Sequence, residues 1–211
     1  MRVDIPTASN TLLLSGLSSV DFSIADVSTT VLPLAADEVL KDITKFVSFE
    51  SLTKRTDDNL DTRYVLKHRF IADSEFSSFD LTVAVDDVFV FDSPDYDDVS
   101  GTTLTVDSID AFNGFVTLNT AQSSTVYASY RYALVPIQGG ITDQQVVRAI
   151  IYKAAEMLWD ATIGASEVVA VADYRTQLRN KFKKKYEDAI RKINAKGQFR
   201  VVKRKAQMRE P

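Results

Sequence analysis

The chain has 211 residues, 45% hydrophobic and 26% charged, with 25 Lys and Arg against 29 Asp and Glu for a net charge of −4. That length supports one large domain or two small ones with real cores. There is no cysteine and one histidine, His68, which excludes disulfides, thiolate chemistry, a Cys-based zinc site and any site built on two histidines.

No apolar run approaches the roughly 18 residues of a membrane helix, and no leader-type segment is found, so the expectation is a soluble chain made in a cytoplasm. The modest net charge hides a segregation. From Arg175 to Pro211 there are 14 Lys/Arg against 3 Asp/Glu, or +11, which leaves 11 against 26, or −15, in the preceding residues. Between residues 70 and 130 there are 11 Asp/Glu and no Lys or Arg. Such halves attract each other, a neighbouring copy, or, at the basic end, nucleic acid.

Residues 1–34 are rich in Ser, Thr, Val and Leu with little helical period. Residues 11–17 and 21–27 read as short strands or extended arms, packed on their own domain or reaching a neighbour. Residues 36–49 place Val39, Leu40, Ile43, Phe46 and Val47 at helical spacing, with Asp37 and Glu38 in the first turn, and predict a short amphipathic helix. Residues 51–61 are polar and predict a loop. Residues 62–72 alternate Tyr64, Leu66, His68 and Phe70 with charged or β-branched residues, the period of a strand.

Two apolar runs, 81–85 and 88–91, meet at Asp86-Asp87, a bend signal. Strands follow at 103–106, 115–118 and 126–133, with Asn113-Gly114 as a hairpin turn before the second. Pro136 and Gly139-Gly140 mark a hinge. Then Thr142, with Gln145 three residues on, predicts a capping box. The helix it opens carries Val146, Val147, Ile150, Ile151, Ala154, Leu158 and Ala161, and Gly164 is its expected C-cap. A second helix from Ser166 carries Val168, Val171, Tyr174, Leu178, Phe182, Tyr186, Ala189, Ile190 and Ile193, and Gly197 is expected to close it.

Segregated β and α blocks predict an α+β fold: an antiparallel β-sandwich or barrel module, a C-terminal antiparallel helix hairpin and an extended basic tail. The expected boundaries are an N-terminal arm (1–34), a short helix and loop (35–61), an acidic antiparallel β-module (62–135), the helix hairpin (141–196) and a basic C-terminal arm (197–211).

Little in the sequence marks a reaction site. There is no nucleophile elbow and no phosphate-binding Gly loop, and no carboxylate pair stands out, so the chain is not expected to be an enzyme or to carry a cofactor. His68 reads as a packed strand residue. The acidic loop with Asp92, Asp95, Asp97 and Asp98 offers oxygen ligands to calcium, but it lacks the Gly and distal Glu of the helix-loop-helix pattern and reads first as a solvated turn.

The basic face of the second helix, Arg179, Lys183, Lys184 and Arg191, suits a phosphate backbone or an acidic partner. The tail Phe199, Arg200, Val201, Val202, Lys203, Arg204 and Lys205 alternates apolar and charged residues, as a segment that adds to a partner's sheet edge does. The other reading of the tail is a solvated segment.

The phrases Ile141-Thr142-Asp143-Gln144-Gln145-Val146-Val147-Arg148-Ala149-Ile150 and Ala154-Ala155-Glu156-Met157-Leu158-Trp159, followed by a long basic helix, resemble the helical core of head–tail connector (adaptor) proteins of tailed viruses. The hairpin Gly114-Phe115-Val116-Thr117-Leu118-Asn119 with Thr125-Val126-Tyr127-Ala128-Ser129-Tyr130-Arg131-Tyr132 is similar to small β-modules of virion structural proteins. The resemblance spans about residues 75–205.

It implies a structural subunit in the virion neck, in a homo-oligomeric ring, commonly of twelve copies, beneath the portal protein. It implies that residues 198–208 dock on the portal, that tail or neck proteins are further partners, and that double-stranded DNA passes the lumen without sequence-specific binding. A tail-completion or baseplate protein, or a nucleic-acid-binding module using the basic C-terminal segment, are the alternatives.

Overall fold

The computed structural model describes residues 5–55, 62–73, 83–92, 102–137, 142–163 and 169–207, with side chains of the last segment described from 171 to 197. The fold is mixed α+β with antiparallel sheets and a C-terminal helix pair. It divides into two compact units: residues 44–137, which are β-rich, and residues 5–43 with 142–207, which are helical.

The helical unit begins with α1 (Ala8–Ser15), α2 (Ile24–Asp26), a π-turn (Val27–Val31) and α3 (Leu32–Ile43). The sequence reading made 11–17 and 21–27 short strands or extended arms, and the structure corrects this to helix and turn. Local caps start the helices: the Thr7 hydroxyl accepts from Asn10 N–H at 3.4 Å, and the Ser23 hydroxyl accepts from Asp26 N–H at 3.4 Å. Gly16, at φ +77, closes α1 in the left-handed conformation.

The π-turn has a local cause. Pro33 has no N–H and its ring would crowd the carbonyl four residues back. One extra residue in the turn lets Leu32 N–H reach Val27 O instead. In α3, Leu32, Ala35, Ala36, Val39, Leu40 and Ile43 are buried at helical spacing. The helix expected over 36–49 therefore starts earlier and stops at Ile43, and Phe46 and Val47 lie in a strand.

The C-terminal pair is α4 (Gln144–Ile163) and α5 (Val169–Gln207). Asp143 caps α4, accepting from Gln145 N–H at 2.9 Å. The pair is antiparallel: Lys196 Nζ meets Asp143 at 3.0 Å at one end, and Arg175 donates to Thr162 O at the other. The buried stripe of α4 is Val146, Ala149, Ile150, Ile151, Ala154, Ala155, Leu158 and Trp159, facing Phe182, Tyr186, Ala189 and Ile193 of α5. Trp159 also donates to Ser15 O at 3.0 Å and ties α1 to α4. The expected stop at Gly197 is not a stop, since α5 runs on to Gln207 and the expected extended tail is helical over 198–207. The predicted caps Gly164 and Ser166 lie outside the described residues.

The β-rich unit has two antiparallel sheets. One has five strands: β1 (Thr44–Ser51) beside β9 (Tyr127–Ala133), then β5 (Val88–Phe91) and β6 (Thr103–Leu104), with β4 (Ile71–Ala72) also on β9. The other runs β2 (Thr53–Lys54), β3 (Arg63–Val65), β8 (Phe115–Leu118), β7 (Val106–Asp110). One buried core draws on both, with Tyr64, Leu66 and Val116 beside Val88, Val90, Ala128 and Tyr130. Among the described residues neither sheet closes on itself, so the barrel alternative does not appear.

The strand expected over 62–72 is broken because the chain changes sheets there: β3 pairs with β8, and β4 pairs with β9. Leu66 N–H donates to Gly114 O at 2.9 Å and Ile71 N–H to Ala111 O at 2.8 Å, so the crossing is pinned to the β7–β8 turn. Phe70 takes φ +60 in that crossing. The Asn113-Gly114 turn joins β7 to β8 as expected, with Gly114 at φ +72. Asp86-Asp87 bends as a short 3-10 turn before β5.

Candidate functional site

The basic residues of α5 are placed by the helix's own period. Between Val169 and Gln207 lie 13 Lys/Arg and 3 Asp/Glu. The apolar stripe is buried, so the cations fall on the flanks and outer face. At about 100° per residue the four candidates do not share one face. Arg179 and Lys183 border the buried stripe, while Lys184 and Arg191 point outward.

Arg179 Nη1 is 3.0 Å from Asp160 Oδ1 on α4, and Arg191 is 3.5 Å from Asp188 within α5. Exposed pairs of this kind contribute about 0–1 kcal/mol, so they tune the surface more than they hold the fold. Lys183 and Lys184 are exposed and make no ion pair among the described residues.

Arg179 and Lys183 line a groove of about 330 Å³ between α4 and α5, with Lys153, Glu156, Met157 and Asp160 on the α4 side. Among the described residues, Glu156 Oε2 is buried without a hydrogen bond and has Lys153 Nζ at 3.4 Å. Lys153 also lies over the Tyr186 ring, 5.3 Å from its centre. The Tyr186 hydroxyl donates to Asp42 of α3. Burial first, then that carboxylate, raise the Tyr186 phenol above its ordinary value of 10.0. The sequence reading missed Asp42 and Glu156, because their role depends on three helices meeting.

The β-rich unit holds a second polar group of residues. Glu50 is 6% exposed, and its Oε1 accepts from Lys67 N–H at 2.6 Å and from the Tyr130 hydroxyl at 3.1 Å. The Tyr130 oxygen accepts from His68 N–H at 3.3 Å, and the His68 ring stacks on Tyr132 with centres 3.8 Å apart. His68 is thus a packed residue, as expected. Burial, then the Glu50 charge, push the Tyr130 phenol above its ordinary 10.0. Satisfied in this way, the carboxylate holds the crossing between the sheets in place.

Asp92 Oδ1 accepts from Thr102 N–H at 2.7 Å, whereas Asp95, Asp97 and Asp98 lie outside the described residues. Among the described residues no group of three or more His, Cys, Asp or Glu is placed to hold a metal ion. No described helix is long and apolar enough to cross a membrane. Phe199, Arg200, Val201, Val202, Lys203, Arg204 and Lys205 have their backbone in the last turns of α5. No protein-family model matches the chain, and no curated protein matches it.

Proposed function

We propose that the chain is a structural subunit of the neck of a tailed virus, a head–tail connector that assembles as a ring beneath the portal. The observation that carries this reading is α5, a 39-residue helix holding most of the chain's positive charge. It is sealed to α4 along one stripe and continues eleven residues past the Lys196–Asp143 pair. At about 1.5 Å per residue those eleven residues reach about 17 Å further, a basic projection suited to a partner.

In this reading residues 198–207 dock on the portal as a continuation of α5, with Phe199 and Val202 as apolar anchors among Arg200, Lys203, Arg204 and Lys205. The outward cations Lys184 and Arg191 line the passage for double-stranded DNA and act on the phosphate backbone without reading sequence. The two sheets of the β-rich unit close as an antiparallel sandwich over their shared core and present an acidic surface to a neighbour or tail protein. The chain works by assembly, not turnover.

Antibody labelling of purified particles by electron microscopy tests the placement. Label at the neck is expected. Label confined to the distal tail favours the tail-completion or baseplate alternative and overturns the connector assignment.

A further inference from the structure

Six large apolar side chains are exposed at one end of the helical unit. Leu13 and Leu14 end α1, Val20 tips the following turn, Ile24 opens α2, and Val171 and Tyr174 lie in the first turns of α5. Val20 is 93% exposed and Leu13 77%. Three links bring these segments together. Trp159 near the end of α4 bonds Ser15 O, Arg175 one turn after Val171 bonds Thr162 O, and Arg175 is close enough to Asp21 to act on its charge. Scattered surface apolar residues are ordinary, but a cluster gathered by fold on one end marks an interface.

The charge around the cluster points to its occupant. Asp21, Asp26 and Asp173 are exposed around it. The Asp21 carboxyl is held below its ordinary value by the Ser18 N–H, then by the Ser18 hydroxyl, with Arg175 a smaller cause, so it is charged. A complementary surface exists on the same chain: the α4–α5 groove is lined by Met157, by Lys153 and Arg179, paired with Glu156 and Asp160, and by Lys183, which makes no ion pair among the described residues, so its lining carries one more cation than anion. An apolar knob beside a carboxylate fits a groove that offers the Met157 side chain and the ammonium of Lys183, unpaired among the described residues.

We infer that the apolar end is an interface for a second copy of this chain, with the Val20–Asp21 turn of one copy seated in the α4–α5 groove of the next. Knob and groove are different surfaces, so the contact is heterologous and repeats around an axis. This inference rests on the ring reading above and names the contact that closes the ring.

The test is the mass of the full chain in solution, alone and on a portal ring, over a range of concentrations. Val20→Asp is expected to weaken association at least about tenfold while leaving the melting curve unchanged, since Val20 touches no core. Asp21→Lys and Lys183→Glu are each expected to weaken it, and the two together to restore it between copies. Variants that associate like the parent overturn the interface and leave the ring reading standing. Loss in Val20→Asp without rescue by the charge swap overturns the groove as the seat. A parent chain that stays monomeric at every concentration, with and without portal, overturns both.

Discussion

Gly16 and Gly114 share a left-handed backbone and have opposite surroundings. A Cβ at Gly114 would meet His68 O at 2.2 Å, a backbone atom held by the sheet crossing, whereas a Cβ at Gly16 meets nothing within 4 Å. Gly16→Ala is therefore expected to lose about 1 kcal/mol, the conformational term alone. Gly114→Ala is expected to lose at least about 2–3 kcal/mol, because the crossing must shift as well. Urea midpoints of the two variants check the ranking, and equal losses contradict it.

Tyr130 gives a pH prediction. Its phenol is harder to deprotonate in the fold than in the unfolded chain, where the ordinary value is 10.0. The stability it contributes is complete below that value and is lost as pH rises from it toward the folded value. Urea midpoints taken below and above pH 10 should fall in the parent, and fall less steeply in Tyr130→Phe. The same slope in both is the contrary result. At neutral pH the Phe variant should also cost about 1–3 kcal/mol, since Glu50 loses a hydroxyl donor. Asn113-Gly114 was legible in the sequence because the turn is local. The burial of Glu50 was not, because it follows from a bulge in β1 between Val47 and Glu50, with Phe49 at φ +48.

Among the elements, α4 and α5 were readable because their apolar residues recur over many turns, and a long stripe outweighs errors at single positions. Residues 11–17 and 21–27 were misread as strands or arms. Ser, Thr and Val dominate there, and burial against α4 overrides their weak helix propensity. The end of α5 was misread for a related reason: a single Gly costs about 1 kcal/mol inside a helix, which a 39-residue helix tolerates. The strand over 62–72 has a clean period but serves two sheets, and periodicity does not encode a change of sheet.

Two faces of α5 should respond differently to substitution. Ile193 is fully buried, and Ile193→Ala is expected to cost about 2–5 kcal/mol in a thermal or urea melt. Lys184→Gln on the outer face should stay within about 0.5 kcal/mol of the parent. If that face meets DNA, retention on duplex falls with salt, and removing Lys184 lowers the log–log slope by about 1. A chain that ignores duplex at low salt contradicts the lining role of α5.

Over the whole molecule, charge is separated along the chain, −15 before Arg175 and +11 from there on. Such a chain is near neutral in total and strongly bipolar in parts, a distribution that favours ordered contacts between copies over indiscriminate ones. The helical unit adds a second polarity, with apolar side chains at one end of the α4–α5 pair and the Lys196–Asp143 ion pair with the helical extension at the other. In the proposed ring such a subunit meets its neighbour head to flank, and a heterologous contact of that kind closes when the rotation between copies divides the circle.

The measurement that tests this most directly is native mass spectrometry of the full chain mixed with a purified portal ring, beside a chain ended at Lys196. The shorter chain keeps the Lys196–Asp143 pair and the buried stripe, so it retains what seals α5 to α4. The account predicts that the full chain adds to the portal in one fixed, ring-closing number of copies and that the shorter chain does not add. A portal mass unchanged by either chain would contradict the connector assignment. Equal addition by both would remove the docking role from residues 198–207.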